Sequence, residues 1–267
     1  MLDGPQIQRS FGTAQIAMTR GRLLALRQSG SAKVMLPRCH QSAPEIVFLN
    51  TSGGLTAGDR LEYRLDLGPD SQATATTQTA ERAYRAEGPP ARARVRLSLD
   101  RGARLDWLPQ ETILYDGAKL ERETEIDLAP KAQILAIETI ILGRAAHGET
   151  LRRVTLSDRR RIRRDGKLVL LDPMRLGDGA VQRAGNAALL GGMRAIATLF
   201  FVAPDAPAAL PSLRAELTEP DVKAAVSSRD GAIILRCLAP DGWPLRRQMI
   251  RLVQKLRPGA LPRVWQI

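Results

Sequence analysis

Apolar and polar residues alternate along most of this chain, and the alternation predicts strands. Ile16-Ala17-Met18-Thr19-Arg20 and Arg22-Leu23-Leu24-Ala25-Leu26 flank Gly21 and read as a hairpin. Period-2 stretches follow at 45–49, 60–67, 73–79, 93–99, 103–108, 119–128, 132–142, 151–156 and 167–171. Gly, Pro and Asp punctuate the gaps between them. Long stretches with helical spacing are nearly absent before residue 200.

A repeat lies inside this pattern. Leu67-Gly68-Pro69-Asp70-Ser71-Gln72-Ala73, Leu99-Asp100-Arg101-Gly102-Ala103-Arg104-Leu105 and Leu128-Ala129-Pro130-Lys131-Ala132-Gln133-Ile134 are three versions of one unit. Each is a strand end, a turn containing Gly or Pro, and a small residue that leads the next strand. The steps are 32 and 29 residues, a period at which each coil of a solenoid covers the apolar face of the one before. Three similar hairpins in a sandwich fit the same copies.

The last third changes character. Residues 203–209 are rich in Pro and Ala and read as a loop, 212–217 and 221–226 as short helices, and 232–238 as a strand. Pro244 then sits where a first helical turn tolerates proline. Leu245, Met249, Leu252, Val253 and Leu256 follow at helical spacing, with Arg246, Arg247, Arg251 and Lys255 on the other face. Pro258-Gly259 ends that helix. The stripe reads as core packing or as a partner groove running from Trp243 to Leu256. The expected architecture is one mainly β domain over residues 1–267, solenoid-like, with its few helices near the C-terminus.

Composition narrows the class. The chain has 267 residues, 44% hydrophobic and 25% charged, which is ordinary for a globular protein. Cys39 and Cys237 are far apart and match no zinc or redox spacing, so they read as reduced, buried thiols. No secretory leader pattern precedes Phe11, and no apolar run nears the ~20 residues of a membrane helix. A cytoplasmic protein is expected.

The net charge is +12, carried by 34 Arg and only 6 Lys. The densest run is Arg152-Arg153, Arg159-Arg160-Arg161 and Arg163-Arg164, alternating with Val154, Leu156 and Ile162, and it reads as a strand pair with one basic face. A basic, β-rich nucleic-acid-binding protein has such a stripe. Aromatics are only 4% and are not interleaved with the run, so stacking platforms for a single strand are lacking. An acidic protein partner explains the charge equally well.

Familiar catalytic motifs are missing. There are two histidines, His40 and His147, and no GxSxG, HExxH or GxxxxGK[ST]. The glycines at 177, 179, 185, 191 and 192 lack dinucleotide-binding spacing and read as a loop. The absence favours a scaffold, chaperone or binding protein, with a hydrolase of unfamiliar site as a further reading.

Two segments are more specific than generic β structure. Asn50-Thr51-Ser52-Gly53-Gly54-Leu55-Thr56-Ala57-Gly58-Asp59-Arg60-Leu61 is a glycine turn that reads as a tight strand connection or an anion nest. Trp107-Leu108-Pro109-Gln110-Glu111-Thr112-Ile113-Leu114-Tyr115-Asp116-Gly117 reads as strand, turn and strand. Together with Leu36-Pro37-Arg38, Thr76-Thr77-Gln78, Leu142-Gly143-Arg144, Gly148-Glu149 and Pro262-Arg263-Val264-Trp265, they occur in the order of the urease accessory protein UreD family, called UreH in some organisms. The chain resembles that family over nearly its whole length. It departs from it at Ala57-Gly58, where a second glycine pair is usual. It departs again at Glu81-Arg82, where Thr or Ser and then Lys precede the Tyr-Arg step.

The resemblance implies a β-helix-like fold and a non-catalytic role in nickel insertion. It implies binding to apo-urease and to UreF, and through UreF to the GTPase UreG. No tightly bound cofactor is implied, only a nickel ion in transit through the interior. Four acids stand in or beside apolar strand context: Asp59, Glu62, Glu138 and Asp172. Buried carboxylates need an Arg, water or a metal nearby, and Asp59, Glu138 and Asp172 fall where the family's channel acids fall. The expectation is therefore a nickel path among Asp59, Glu62, Glu138 and Asp172, a water-filled internal channel touched by Asp59 and at least one of Glu138 and Asp172. The expected partner surface is Trp243, Leu245, Met249, Leu252 and Leu256.

Overall fold

The computed structural model describes residues 9–38, 43–257 and 259–266. Cys39, His40 and Pro258 lie outside the described residues. The strands are β1 (Phe11–Thr19), β2 (Arg22–Gly30), β3 (Ala32–Met35), β4 (Glu45–Asn50), β5 (Arg60–Leu67), β6 (Gln72–Thr77), β7 (Glu81–Ala83), β8 (Ala91–Leu99) and β9 (Arg104–Trp107). They continue with β10 (Thr112–Leu114), β11 (Ala118–Leu128), β12 (Gln133–Leu142), β13 (Val154–Arg164), β14 (Lys167–Leu176), β15 (Ala195–Val202), β16 (Lys223–Arg229) and β17 (Ala232–Ala239). The helices are α1 (Asp178–Gln182), α2 (Leu210–Ala215) and α3 (Gly242–Leu256).

The middle of the chain winds as a solenoid. Four successive coils, β4–β5, β6–β7–β8, β9–β10–β11 and β12–β13, each send one strand to each of two facing sheets. In the first sheet the order is β14-β13-β11-β8-β5-β1-β2, with β13, β11, β8 and β5 parallel. In the second it is β16-β17-β15-β12-β9-β6-β4-β3, with β12, β9, β6 and β4 parallel. The short β7 and β10 form a narrow third face.

The turn repeat sets the stacking. Leu67, Leu99 and Leu128 pair in register across adjacent strands. Three residues on, Asp70, Gly102 and Lys131 all have positive φ, at 51°, 70° and 63°. Glycine adopts this conformation freely, and the other two residues accept a cost of about 1 kcal/mol. The amide of Asp70 donates to the Arg101 carbonyl, and that of Gly102 to the Pro130 carbonyl. The small residues that follow, Ser71, Ala103 and Ala132, are buried.

Two apolar layers result. Ile16, Leu65, Leu97, Leu105, Ile126, Ile134 and Phe200 fill the space between the sheets. On the other side of the second sheet, Leu199, Ile233, Leu235 and Cys237 meet Leu213, Leu245, Met249 and Leu252 of the helices. β12 and β15 are therefore covered on both faces and read as continuous apolar runs. Cys237 is buried, and burial pushes its thiol up to about 12.

One expected helix is a strand. Residues 221–226 enter β16, which pairs antiparallel with β17. Asp230 and Gly231, at φ 51° and 75°, close a tight turn that carries the right-handed twist of a hairpin. Asp241 caps the start of α3, its carboxylate accepting the Trp243 amide at 3.4 Å. Among the described residues no helix is long and apolar enough to cross a membrane.

Candidate functional site

A polar layer crosses the otherwise apolar space between the sheets. It follows from strand parity. In β13, Val154, Leu156, Asp158, Arg160 and Ile162 all point inward and are buried. In β12, Ile134, Ala136, Glu138 and Ile140 do the same. Register then aligns the polar members. Arg122 of β11 lies beside Asp158, and Arg160 beside Asp172 of β14. On the facing sheet Glu138 pairs with Thr198, and Thr198 with Arg236.

The layer is a chain of alternating charges. Glu138 accepts the Trp107 indole N–H at 3.2 Å and the Arg122 guanidinium at 3.0 Å. Arg122 also donates to Thr112 at 2.9 Å and to Asp158 at 2.5 Å. Arg160 bridges Asp158 and Asp172, the latter at 2.7 Å, and reaches Thr198 at 3.3 Å. Arg236 closes the chain on Asp172 at 2.5 Å, and its side chain is 57% exposed. Glu138, Asp158, Arg160 and Asp172 are each at most 4% exposed. Burial works against the charge on Arg122, but Asp158 and Glu138 outweigh it and shift its pKa upward. Burial likewise opposes ionisation of Asp158, and Arg122 with Arg160 outweigh it, so its carboxyl is held below the usual range. Asp158 Oδ1 and the Nε atoms of Arg122 and Arg160 are buried without a hydrogen-bond partner.

Of the four predicted acids, Glu138 and Asp172 meet in this layer. Asp59 does not join it. Its carboxylate is 3% exposed and accepts the amides of Ser10 at 2.7 Å and Thr56 at 2.8 Å, which ties the glycine turn together. Glu62 points to the outer face of the first sheet and pairs there with Arg96 at 2.5 Å. Asp158, Arg122, Arg160 and Arg236 were missed, although parity with Val154, Leu156 and Ile162 already places Asp158 and Arg160 inward.

The basic run is split by the same parity. Arg159 and Arg161 point outward and meet Glu123 and Glu125 of β11, the second pair at 3.3 Å. Arg94 reaches Glu123 at 3.1 Å and Arg92 reaches Glu121 at 2.9 Å. A row of carboxylates thus stands between two rows of guanidiniums, which argues against the single basic face of a nucleic-acid binder.

The expected partner stripe lies largely inside the fold. Leu245, Met249 and Leu252 are fully buried against the second sheet, whose outward apolar row needs that cover. Leu256 is half-buried and Trp243 exposed. Arg246, on the same helix, is buried and bonds Gln110 at 2.8 Å, Glu111 at 2.9 Å and the Val264 carbonyl at 3.0 Å. Trp265 donates to the Leu108 carbonyl at 2.9 Å. The two motifs at 107–117 and 262–265 meet there.

The remaining motifs stack along one side of the solenoid. Tyr84 donates to the Gly53 carbonyl at 3.1 Å, and its ring lies edge-on to Tyr115 at 4.9 Å. The Arg144 guanidinium covers Tyr115 at 4.5 Å. Asp116 accepts the amides of Arg152 and Arg153, which hold its carboxyl below the usual range. Beneath the glycine turn, the Asn50 side-chain amide donates to both carboxylate oxygens of Glu81, at 3.1 and 3.2 Å, and to the Gly54 carbonyl at 3.4 Å, beside a cavity of about 40 Å³ lined by Phe48, Tyr63 and Thr77. Burial raises the Glu81 carboxyl to about 7, against the pull of Asn50.

Comparison with known proteins agrees with this arrangement of motifs. The profile of the family described as UreD urease accessory protein matches residues 11–266. The urease accessory protein UreD of Paracoccus denitrificans is 55% identical over 262 residues, covering 98% of this chain and 94% of its relative. That of Jannaschia sp. is 49% identical with both chains fully covered, and that of Rhizobium leguminosarum bv. trifolii is 40% identical over 99% and 98%. With the motifs in order, the coils in register and the match running from one end of the fold to the other, this chain belongs to the UreD family of urease accessory proteins.

Proposed function

We propose that the chain acts in urease maturation as a non-catalytic chaperone. In this reading it binds apo-urease and a UreF-type partner, recruits the UreG GTPase through that partner, and passes nickel along the layer of Glu138, Asp158 and Asp172. The carrying observation is the layer itself, a line of carboxylates across an apolar interior that reaches solvent at Arg236. Buried ion pairs contribute little net stability compared with apolar packing, so stability alone is a poor reason for six charges there. Carboxylates hold nickel more weakly than imidazole does, which suits an ion that must leave as readily as it enters. In the cargo-free protein, the guanidiniums of Arg122, Arg160 and Arg236 neutralise the acids. A cation entering at the surface displaces Arg236 first, because that side chain already stands half in water. Asp158 Oδ1, with no partner of its own, is the free acceptor further in. Asp59 and Glu81 supply carboxylates at the glycine turn, while Glu62 stays outside this path.

Glu138→Gln and Asp172→Asn keep shape and remove charge. Both variants should fold and co-purify with apo-urease and the UreF-type partner, and both should lower the nickel content of the urease produced. Folded, complex-forming variants that yield fully nickel-loaded urease would refute the path.

A further inference from the structure

The first sheet ends in an unsealed strand. Among the described residues, β2 is the last member of that sheet and pairs only with β1. All nine of its residues are exposed, and among the described residues no strand pairs with its second edge. Natural sheets usually blunt such an edge with charge, proline or a covering loop.

A bulge sorts the side chains of β2 into two rows. Ala25 pairs with Ala17 and Leu23 with Met18, so Leu24 is an extra residue. Arg22 and Arg27 are five positions apart and would otherwise point to opposite faces. With the extra residue, they stand opposite Thr19 and Gln15, on the outer face. Leu23 and Leu26 stand opposite Met18 and Ile16, on the core side. Ile16 and Met18 are buried, whereas Leu23 is 47% and Leu26 38% exposed. The apolar layer of the core therefore runs out uncovered along β2, with a cationic row behind it.

The segment that contains β2 carries one sign of charge, and the aspartates nearest to it, Asp66, Asp100, Asp127 and Asp165, line a groove with Leu24. Residues 9–38 contain Arg9, Arg20, Arg22, Arg27, Lys33 and Arg38, and no Asp or Glu. Among the described residues, the first ion pair along the chain is that of Glu62 with Arg96. A second copy added at this edge would set Arg22 and Arg27 against the same two cations, so self-pairing is opposed.

We propose that the free edge of β2 docks an extended, acidic protein segment in which apolar residues alternate with carboxylates. Such a strand pairs its backbone with β2. One of its faces covers Leu23 and Leu26 and continues the core. The other sets carboxylates beside Arg22 and Arg27. Period 2 in the partner is required because both rows must be met from a single added strand.

The test uses the full chain and fluorescence anisotropy of labelled eight-residue peptides. Alternating Val-Glu should bind more tightly than alternating Val-Lys, by at least about tenfold. Its affinity should fall as salt rises. N-methylation of every second amide, which blocks strand pairing, should abolish binding. Arg22→Glu/Arg27→Glu and Leu23→Ser/Leu26→Ser should each weaken it about tenfold or more, with circular dichroism unchanged because the strand is exposed. Leu168→Ser/Leu171→Ser, on the opposite edge strand β14, should leave it unaltered. Three results would overturn the proposal. One is equal affinity for the Val-Glu and Val-Lys peptides. Another is binding to vesicles containing phosphatidylserine but to neither peptide. The third is a concentration-dependent dimer that the β2 variants dissolve.

Discussion

Arg159, Arg160 and Arg161 are consecutive on one strand, and the middle one lives in a different medium from its neighbours. Arg159 and Arg161 lie on the outer face, where water screens their pairs with Glu123 and Glu125. Arg160 lies between the sheets, 2% exposed, and holds Asp158 and Asp172. The residue type is the same and the partners are the same kind of group. What differs is the cost of losing a partner. Outside, water replaces it. Inside, nothing does, and Asp158 and Asp172 each lose one of their two guanidiniums in a buried layer.

The largest expected effect follows directly. Arg160→Ala should destabilise the fold by about 3–5 kcal/mol, the usual result of breaking a buried ion pair from one side. Urea denaturation followed by circular dichroism measures it. A loss no larger than that of Arg159→Ala would erase the distinction between the two faces.

The glycine turn offers a backbone version of the same contrast. Gly53 and Gly54 are adjacent and both have positive φ, at 77° and 152°. A Cβ on Gly53 meets nothing within 4 Å, whereas one on Gly54 falls 2.4 Å from the Tyr84 ring and 2.7 Å from the Arg82 carbonyl. Gly53→Ala should cost about 1 kcal/mol, the conformational term alone. Gly54→Ala should cost about 2–3 kcal/mol, since a clash with backbone is added to strain. Equal denaturation midpoints for the two would show that the turn is free to move off Tyr84.

Glu81 brings pH into the comparison. Burial lifts its carboxyl from 4.5 to about 7 in the folded chain. Between these values the native state keeps a proton that the unfolded chain has released. Stability should therefore fall as pH rises from 4.5 to 7 and change little from this group beyond that window. In Glu81→Gln the slope should flatten, which urea midpoints at several pH values will reveal. An unchanged slope would mean that the carboxylate is solvated.

Smallest of all should be the outer ladder. Arg159→Ala is expected to cost at most about 1 kcal/mol, shrinking as salt is added. A larger, salt-insensitive loss would show that the outer row is covered by something other than water.

Much of the fold was legible because a solenoid writes its geometry into a local period. The Leu67, Leu99 and Leu128 turns were read from residue type, and they stack in register. The amphipathic pattern of α3 was legible too, but its destination was not. Leu245, Met249 and Leu252 have the same spacing whether they face a sheet or a partner. Residues 221–226 misled because a short stretch with Asp, Lys and two alanines carries weak propensity in either direction, and pairing with β17 decided it. Of the candidate acids, Glu138 was legible as buried because Ile137 and Ile140 surround it. Glu62 was misleading because alternation with Leu61 and Tyr63 puts it outside.

The sequence alone determined the strand period, the turn positions, the absence of familiar catalytic motifs and the family. These are properties of neighbouring residues and of their order. Only the tertiary structure decided that Trp107, Arg122, Glu138, Asp158, Asp172, Thr198 and Arg236, drawn from seven different strands, form one layer. Parity tells which side of a strand a residue faces. It does not tell which residue of another strand stands opposite, because that depends on register and on the spacing of two sheets, and both are set by the packing of the whole core.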